Sequence, residues 1–191
     1  MTSGRQRDPE TDIVKAAVDG DRSAAKAIYE AHIGYLTAVC SRYVADDEDV
    51  RDILQECFVK IFRSLDKFRY RGKGSLRAWM TRIVVNESLK FLRDSNRNSM
   101  VEFKENLPDT AENEDSEADM EDIPPAEIQR MIRSLPTPYR TVFNLYVFQD
   151  KSHREIARLL GIATGTAASC LHRAKAMLIK MVNGYRHEKD V

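Results

Sequence analysis

Ser152-His153-Arg154-Glu155-Ile156-Ala157-Arg158-Leu159-Leu160-Gly161-Ile162-Ala163-Thr164-Gly165-Thr166 is the stretch whose reading decides the fold. Ser152 and Glu155 have the spacing of a capping box at the start of a helix. Gly161 follows the last apolar residue of that helix, where a glycine in left-handed conformation ends the turn. A second helix then runs through Cys170 to Lys180 and carries Arg173, Lys175 and Lys180. Small Ala157, four residues before Gly161, lets the two helices cross closely, with Ala167 and Leu171 facing them from the second. That is the layout of a helix-turn-helix, whose second helix lies in the DNA major groove. An ordinary helical hairpin has the same local pattern, so the rest of the chain has to choose between them.

Working outward, nearly every periodic segment follows the helical period, and no alternating strand pattern stands out. Asp12 and Asp21 are candidate caps for two helices, the first carrying Ile13, Val14, Ala17 and Val18 up to Gly20. The second carries Ala24, Ile28, Ala31, Val39 and Tyr43. The acids at Asp46–Asp49 suit the positive end of a third helix, with Val50, Ile53, Leu54, Cys57, Phe58, Ile61, Phe62 and Leu65 as its apolar stripe. After a loop, Ser75 caps a fourth helix with Leu76, Trp79, Met80, Ile83, Val84, Leu89 and Leu92. Near the C-terminus, Pro124-Pro125 and Thr137-Pro138 suit helix starts. The expected fold is therefore all-α: two small helical domains joined by a flexible acidic linker, the C-terminal one a helix-turn-helix. The boundaries are an N-terminal tail at 1–9, a first domain at 10–98, a linker at 99–123 and a second domain at 124–187.

The net charge of zero hides a division, since residues 101–123 hold ten acids against Lys104 alone. Residues 67–97 carry a net +7 and residues 124–191 a net +6. Such asymmetry implies a polyanionic partner contacted at two separate places. The acid-rich segment has few large apolar side chains and no period, so it cannot offset its ordering entropy by burial. Cys40, Cys57 and Cys170 share no metal-ligand spacing and cannot all pair, which fits a reducing compartment. No apolar leader and no run of about 18 apolar residues is present, so a cytoplasmic protein without membrane insertion is expected. The four histidines are dispersed, and no phosphate loop, nucleophile elbow or paired-carboxylate motif occurs. Neither an enzyme nor a bound metal or cofactor is expected.

Two further segments bear on partners. Lys67-Phe68-Arg69-Tyr70-Arg71-Gly72-Lys73-Gly74-Ser75 interleaves bases with aromatics, a composition that suits phosphates and splayed bases. A solvated connection is the alternative for this loop, and a core anchor is the alternative for Trp79 beyond it. The third helix presents Asp49, Asp52, Gln55, Glu56, Lys60 and Arg63 beside a wide apolar stripe. This is either a solvated face or a docking surface for a partner helix.

In combination these segments resemble the bacterial extracytoplasmic-function (ECF) sigma factors. Asp49-Val50-Arg51-Asp52-Ile53-Leu54-Gln55-Glu56-Cys57-Phe58-Val59-Lys60-Ile61-Phe62 is similar to that family's D-x-x-Q-E-x-F helix. Phe68-Arg69 through Gly74-Ser75-Leu76-Arg77-Ala78-Trp79-Met80-Thr81-Arg82-Ile83-Val84-Val85-Asn86 resembles its F-R-G-x-S…W-L-x-R-I-x-x-N segment. Ser134-Leu135-Pro136 with Tyr139-Arg140, followed by the helix-turn-helix, resembles its C-terminal domain.

The resemblance implies a non-catalytic specificity subunit whose partners are core RNA polymerase, through the β′ clamp and the β subunit, and promoter DNA, duplex and single-stranded. An anti-sigma factor is a further expected partner. It implies polymerase contacts at Asp49, Asp52, Gln55, Glu56, Phe58 and Lys60. It implies −10 contacts at Phe68, Arg69, Lys73, Arg77, Trp79, Arg82, Asn86 and Lys90, with the Phe68–Ser75 loop and Asn86 at a flipped base. Contacts to the −35 element are expected at Arg140, Arg154, Ser169, His172, Arg173 and Lys175.

Two departures stand out. The Phe68–Ser75 loop is longer than the commoner F-R-G-x-S. Ala168 and Cys170 also occupy positions where the family often has basic or polar residues, which leaves base readout to Ser169, His172 and Arg173, or to DNA shape. A duplex-binding regulator and a protein-binding adaptor are the competing readings. The base-plus-aromatic loop speaks against the first and the two basic segments against the second.

Overall fold

A computed structural model describes residues 9–95 and 123–189. Among these residues the regular structure is helical throughout. The chain divides into two compact units, Met1–Leu92 and Arg93–Val191. The expected tail and acidic linker lie outside the described residues, except for Pro9 and Ile123. Pro9 opens the first helix. Ile123, counted with the linker on composition, is 5% exposed and belongs to packed structure.

The first unit contains α1 (Pro9–Val18), α2 (Arg22–Cys40), α3 (Asp47–Arg63), a 3-10 turn (Leu65–Lys67) and α4 (Ser75–Ser95). The α1 helix begins earlier than the Asp12 cap predicts, so Asp12 lies in its first turn. Gly20, at φ 95°, turns the chain after it. Asp21 and Asp46 do act as caps: Asp21 accepts from the Ser23 and Ala24 amides, Asp46 from those of Glu48 and Asp49. These amides have no partner within their helices, so each carboxylate satisfies donors that would otherwise face water alone. The two amide bonds, Asp49's first, hold the Asp46 carboxyl below its ordinary range. Leu36, Cys40, Cys57, Ile61, Leu76, Met80 and Val84 form the centre of the core. Each large aliphatic side chain among them contributes about 1.5–3 kcal/mol by leaving water. Ala31, expected inward, is exposed, and Leu36 takes the inward place on α2.

The second unit contains α5 (Pro125–Ser134), α6 (Thr137–Val147), α7 (His153–Leu160) and α8 (Thr164–Lys189). The α8 helix packs against the other three. Its buried side carries Ala167, Cys170, Leu171, Ala174, Leu178 and Val182, a helical period that faces Val142, Leu145 and Ile156. Between α6 and α7 the chain reverses at Asp150, a non-glycine residue at φ 48°. Asp tolerates this left-handed position better than most side chains.

Candidate polymerase-docking and nucleic-acid surfaces

The α3 helix separates its residues sharply by face. Val50, Ile53, Leu54, Cys57, Phe58 and Ile61 are buried, whereas Asp52, Gln55, Glu56, Val59 and Phe62 are exposed. Asp49 lies between the two faces, half-buried. Two expected docking residues are placed otherwise. Phe58 is only 6% exposed, with its ring 4.6 Å from that of Tyr29, so it supports the face from within. The Lys60 ammonium is bonded to the Glu87 carboxylate of α4, and this bond holds it above the ordinary lysine range. Val59, 45% exposed, instead adds an apolar patch beside Glu56. It lies off the regular apolar stripe of α3, which was the available sign that it faces outward.

The loop after α3 is built on an aromatic pair. Phe68 is 8% exposed, and its ring centre lies 5.7 Å from that of half-buried Trp79, tilted by 54°. Phe68, expected among the −10 contacts, is therefore placed otherwise: its ring is spent inside the unit. Tyr70, two residues on, is 37% exposed. Gly72 (φ 124°) and Gly74 (φ 85°) bend the loop into α4 through conformations that side chains resist. Ser75 opens the helix, and its hydroxyl points back along the chain. It accepts from the Arg71 amide at 3.2 Å and lies 3.4 Å from Glu10 Oε2 of α1, to which it donates. Arg69 folds onto the turn, its Nη1 donating to the Asp66 and Phe68 carbonyls at 2.9 and 3.1 Å. Lys73 and Arg77 are exposed, and so are Arg82, Asn86 and Lys90. The last three are spaced four apart and so share one stripe of α4.

In the helix-turn-helix, Ser152 and Glu155 close a reciprocal capping box. Ser152 Oγ accepts from the Glu155 amide at 3.3 Å, and Glu155 Oε2 accepts from the Ser152 amide at 2.9 Å. The bond from the Ser152 amide is the main reason the Glu155 carboxyl sits below its ordinary range. Gly161, at φ 68° and ψ 31°, terminates α7 in left-handed conformation, as read from the sequence. On α8, Ser169, His172 and Lys175 are exposed, as is Arg154 on α7. Arg173 is half-buried, and its Nη1 is enclosed without a hydrogen-bond partner. Lys175 lies over the Tyr146 ring at 5.9 Å, and Tyr146 stacks on His153 at 5.2 Å.

Two readings in this unit are corrected. Arg140 is 5% exposed, and its Nη1 donates to the Arg133 and Leu135 carbonyls at 2.7 and 3.3 Å. Those carbonyls close the end of α5, where the helix has no amides left to offer them, so the guanidinium acts as a cap. Burial pushes its pKa down, and no phosphate reaches it without displacing these bonds. Cys170 is 2% exposed, with its thiol pKa raised by burial. The polar residue expected there would face the core, so a cysteine removes nothing from the DNA side.

The two units define a class of protein, because each matches one region of the sigma-70 group. The family model for Sigma-70 region 2 matches residues 28–98, and that for Sigma-70, region 4 matches residues 126–178. Over 182 residues the chain is 30% identical to the ECF RNA polymerase sigma factor SigM of Mycobacterium tuberculosis (strain ATCC 25618 / H37Rv), covering 95% of this chain and 88% of that one. It is 28% identical over 179 residues to the ECF RNA polymerase sigma-E factor of Haemophilus influenzae, covering 87% and 91%. A solved structure of the sigma factor RpoE in complex with the anti-sigma factor NepR from Bartonella quintana is also similar. Its TM-score is 0.47 at 19% identity, over 83% of this chain and 96% of that one. The chain belongs to the ECF RNA polymerase sigma factor family, and its role is in transcription initiation. No helix among the described residues is long and apolar enough to cross a membrane.

Proposed function

We propose that the first unit docks on core RNA polymerase and holds melted −10 DNA, while the second reads the −35 element as duplex. The observation that carries this reading is the exposed row Arg82, Asn86 and Lys90 on α4, one residue per turn, beside a loop that ends in α4. Two cations flanking an amide suit a strand whose phosphates need neutralising and whose bases are open to hydrogen bonding. Lys73 and Arg77 extend the row towards the loop, and Tyr70 offers the exposed ring that Phe68 does not. The outward residues of α3 supply a separate contact to the β′ clamp, with Asp52, Gln55 and Glu56 around Val59 and Phe62.

In the second unit, Ser169, His172 and Lys175 share the open side of α8, and half-buried Arg173 beside them holds an unbonded guanidinium nitrogen that would have to swing outward to meet a phosphate or base. An anti-sigma factor is the remaining partner we propose, as ECF members are commonly held inactive by one. It would compete with polymerase for the exposed face of α3.

Run-off transcription with purified core polymerase tests the reading, on a promoter found by mapping start sites after overexpression. RNA should begin at those sites only when the chain is present. A chain that neither binds core nor starts RNA there is not the subunit proposed.

A further inference from the structure

The −10 surface proposed above uses residues from the loop and α4. One contact shows that α2 takes part as well. Tyr35, on α2, leaves 40% of its surface open, although nothing in the core requires an aromatic ring at so exposed a place. The Arg77 guanidinium carbon lies 5.0 Å from the centre of that ring. Arg77 stands in the first turn of α4, immediately after the glycine-bent loop. His32, one turn earlier on α2, is half-buried and has an Nδ1 with no hydrogen-bond partner. Among the described residues Arg77 forms no ion pair with a carboxylate, and the ring face of Tyr35 is the resting place of its guanidinium on α2. A free arginine side chain loses rotamer freedom when it binds a phosphate, whereas one already stacked on a ring has lost part of it beforehand.

We infer that Tyr35 is a positioning residue for single-stranded DNA: its ring orients Arg77 so that the guanidinium meets the backbone of the melted strand. This inference rests on the single-strand reading of the first unit and adds a residue outside the loop and α4. The phenol hydroxyl plays no part, and the ring face is what matters.

Fluorescence anisotropy of labelled dT12 with the full chain tests this across a salt series. Arg77→Ala should weaken binding and flatten the dependence of log K on log salt by about 0.7, the contribution of one phosphate contact on a single strand. Tyr35→Leu should weaken binding roughly two- to five-fold, the worth of an exposed cation–π contact, and should flatten the same slope. Tyr35→Phe should restore both. In the Arg77→Ala background, Tyr35→Leu should have no further effect, because it acts only through Arg77. Equal losses in both backgrounds would overturn the positioning role and make Tyr35 a contact in its own right. An unaltered Tyr35→Leu protein would overturn it too. If the wild-type chain does not bind dT12, alone or with core polymerase, the single-strand reading itself fails and the inference with it. Melting curves of each variant separate these outcomes from misfolding, which an exposed side chain should not cause.

Discussion

The two units assemble their binding surfaces from contacts of different range. In the first, the surface rests on pairs distant in sequence: Lys60 with Glu87, Tyr35 with Arg77, Glu10 with Ser75, and Phe68 with Trp79. In the second, the caps and the turn are set by neighbours: Ser152 with Glu155, Gly161 at the end of α7, and Arg140 on the carbonyls just before it. The α8 helix also packs on the other three, however, and Lys175 reaches Tyr146. A surface made from distant pairs exists only while the whole unit is folded. One made from caps and a turn keeps its local geometry as long as its own helices persist. The proposed −10 surface should therefore fail cooperatively, whereas the caps of the helix-turn-helix can fray by degrees.

The strongest test of this difference is Phe68→Ala, which removes a buried ring and should destabilise the first unit by about 3–5 kcal/mol. Trp79, the only tryptophan, reports the loss through its fluorescence in urea denaturation. Tyr70→Ala, two residues on and exposed, should shift stability by no more than about 0.5 kcal/mol. If the two variants denature alike, the loop has no buried foundation.

In the second unit, Arg140→Leu strips the α5 end of its donor and should cost about 1–3 kcal/mol in thermal melts, with the salt slope of duplex binding unchanged. A reduced slope would return Arg140 to the phosphate contacts. Arg173→Ala should leave stability near wild type while weakening −35 binding by roughly 1–3 kcal/mol in a gel-shift titration. Wild-type affinity would remove it from the interface.

Ser152→Ala should cost about 1 kcal/mol, read as fraying of α7 by amide exchange. Acid should do the same. The Glu155 carboxyl is held below its ordinary range in the folded chain, so its contribution is present above that range and is lost as pH falls through the lowered value. Exchange at the α7 amides that is indifferent to pH in this window, once corrected for its intrinsic rate, would break the assignment.

Much of this was legible in the sequence where one helical period governs a segment. The division of α3 into buried and exposed faces follows its stripe except at Phe62, which is exposed, and Ser169, His172 and Lys175 of α8 are exposed as expected. Legibility ended where the period did. The loop from Phe68 to Ser75 has no repeat to show which ring turns inward, and the resemblance alone would have placed Phe68 at the DNA. Charge misled at Arg140, because nothing local distinguishes a guanidinium that caps a helix from one that meets a phosphate. At Cys170 the family pattern suggested a missing polar contact, whereas the position belongs to the core. The partners of Lys60 and Arg77 lie 27 and 42 residues away, and no spacing rule reaches that far.

The Lys60–Glu87 bond has a consequence for building chimaeras. It ties the helix proposed to face polymerase to the helix carrying the proposed DNA row, so the two are best exchanged together. Replacing α4 alone to alter promoter preference would leave Lys60 facing a residue chosen for a different neighbour and loosen the docking helix as well. Donor segments should therefore span 47–95 as a block, and in the second unit, where α8 packs against the other three helices, 125–189 as a block.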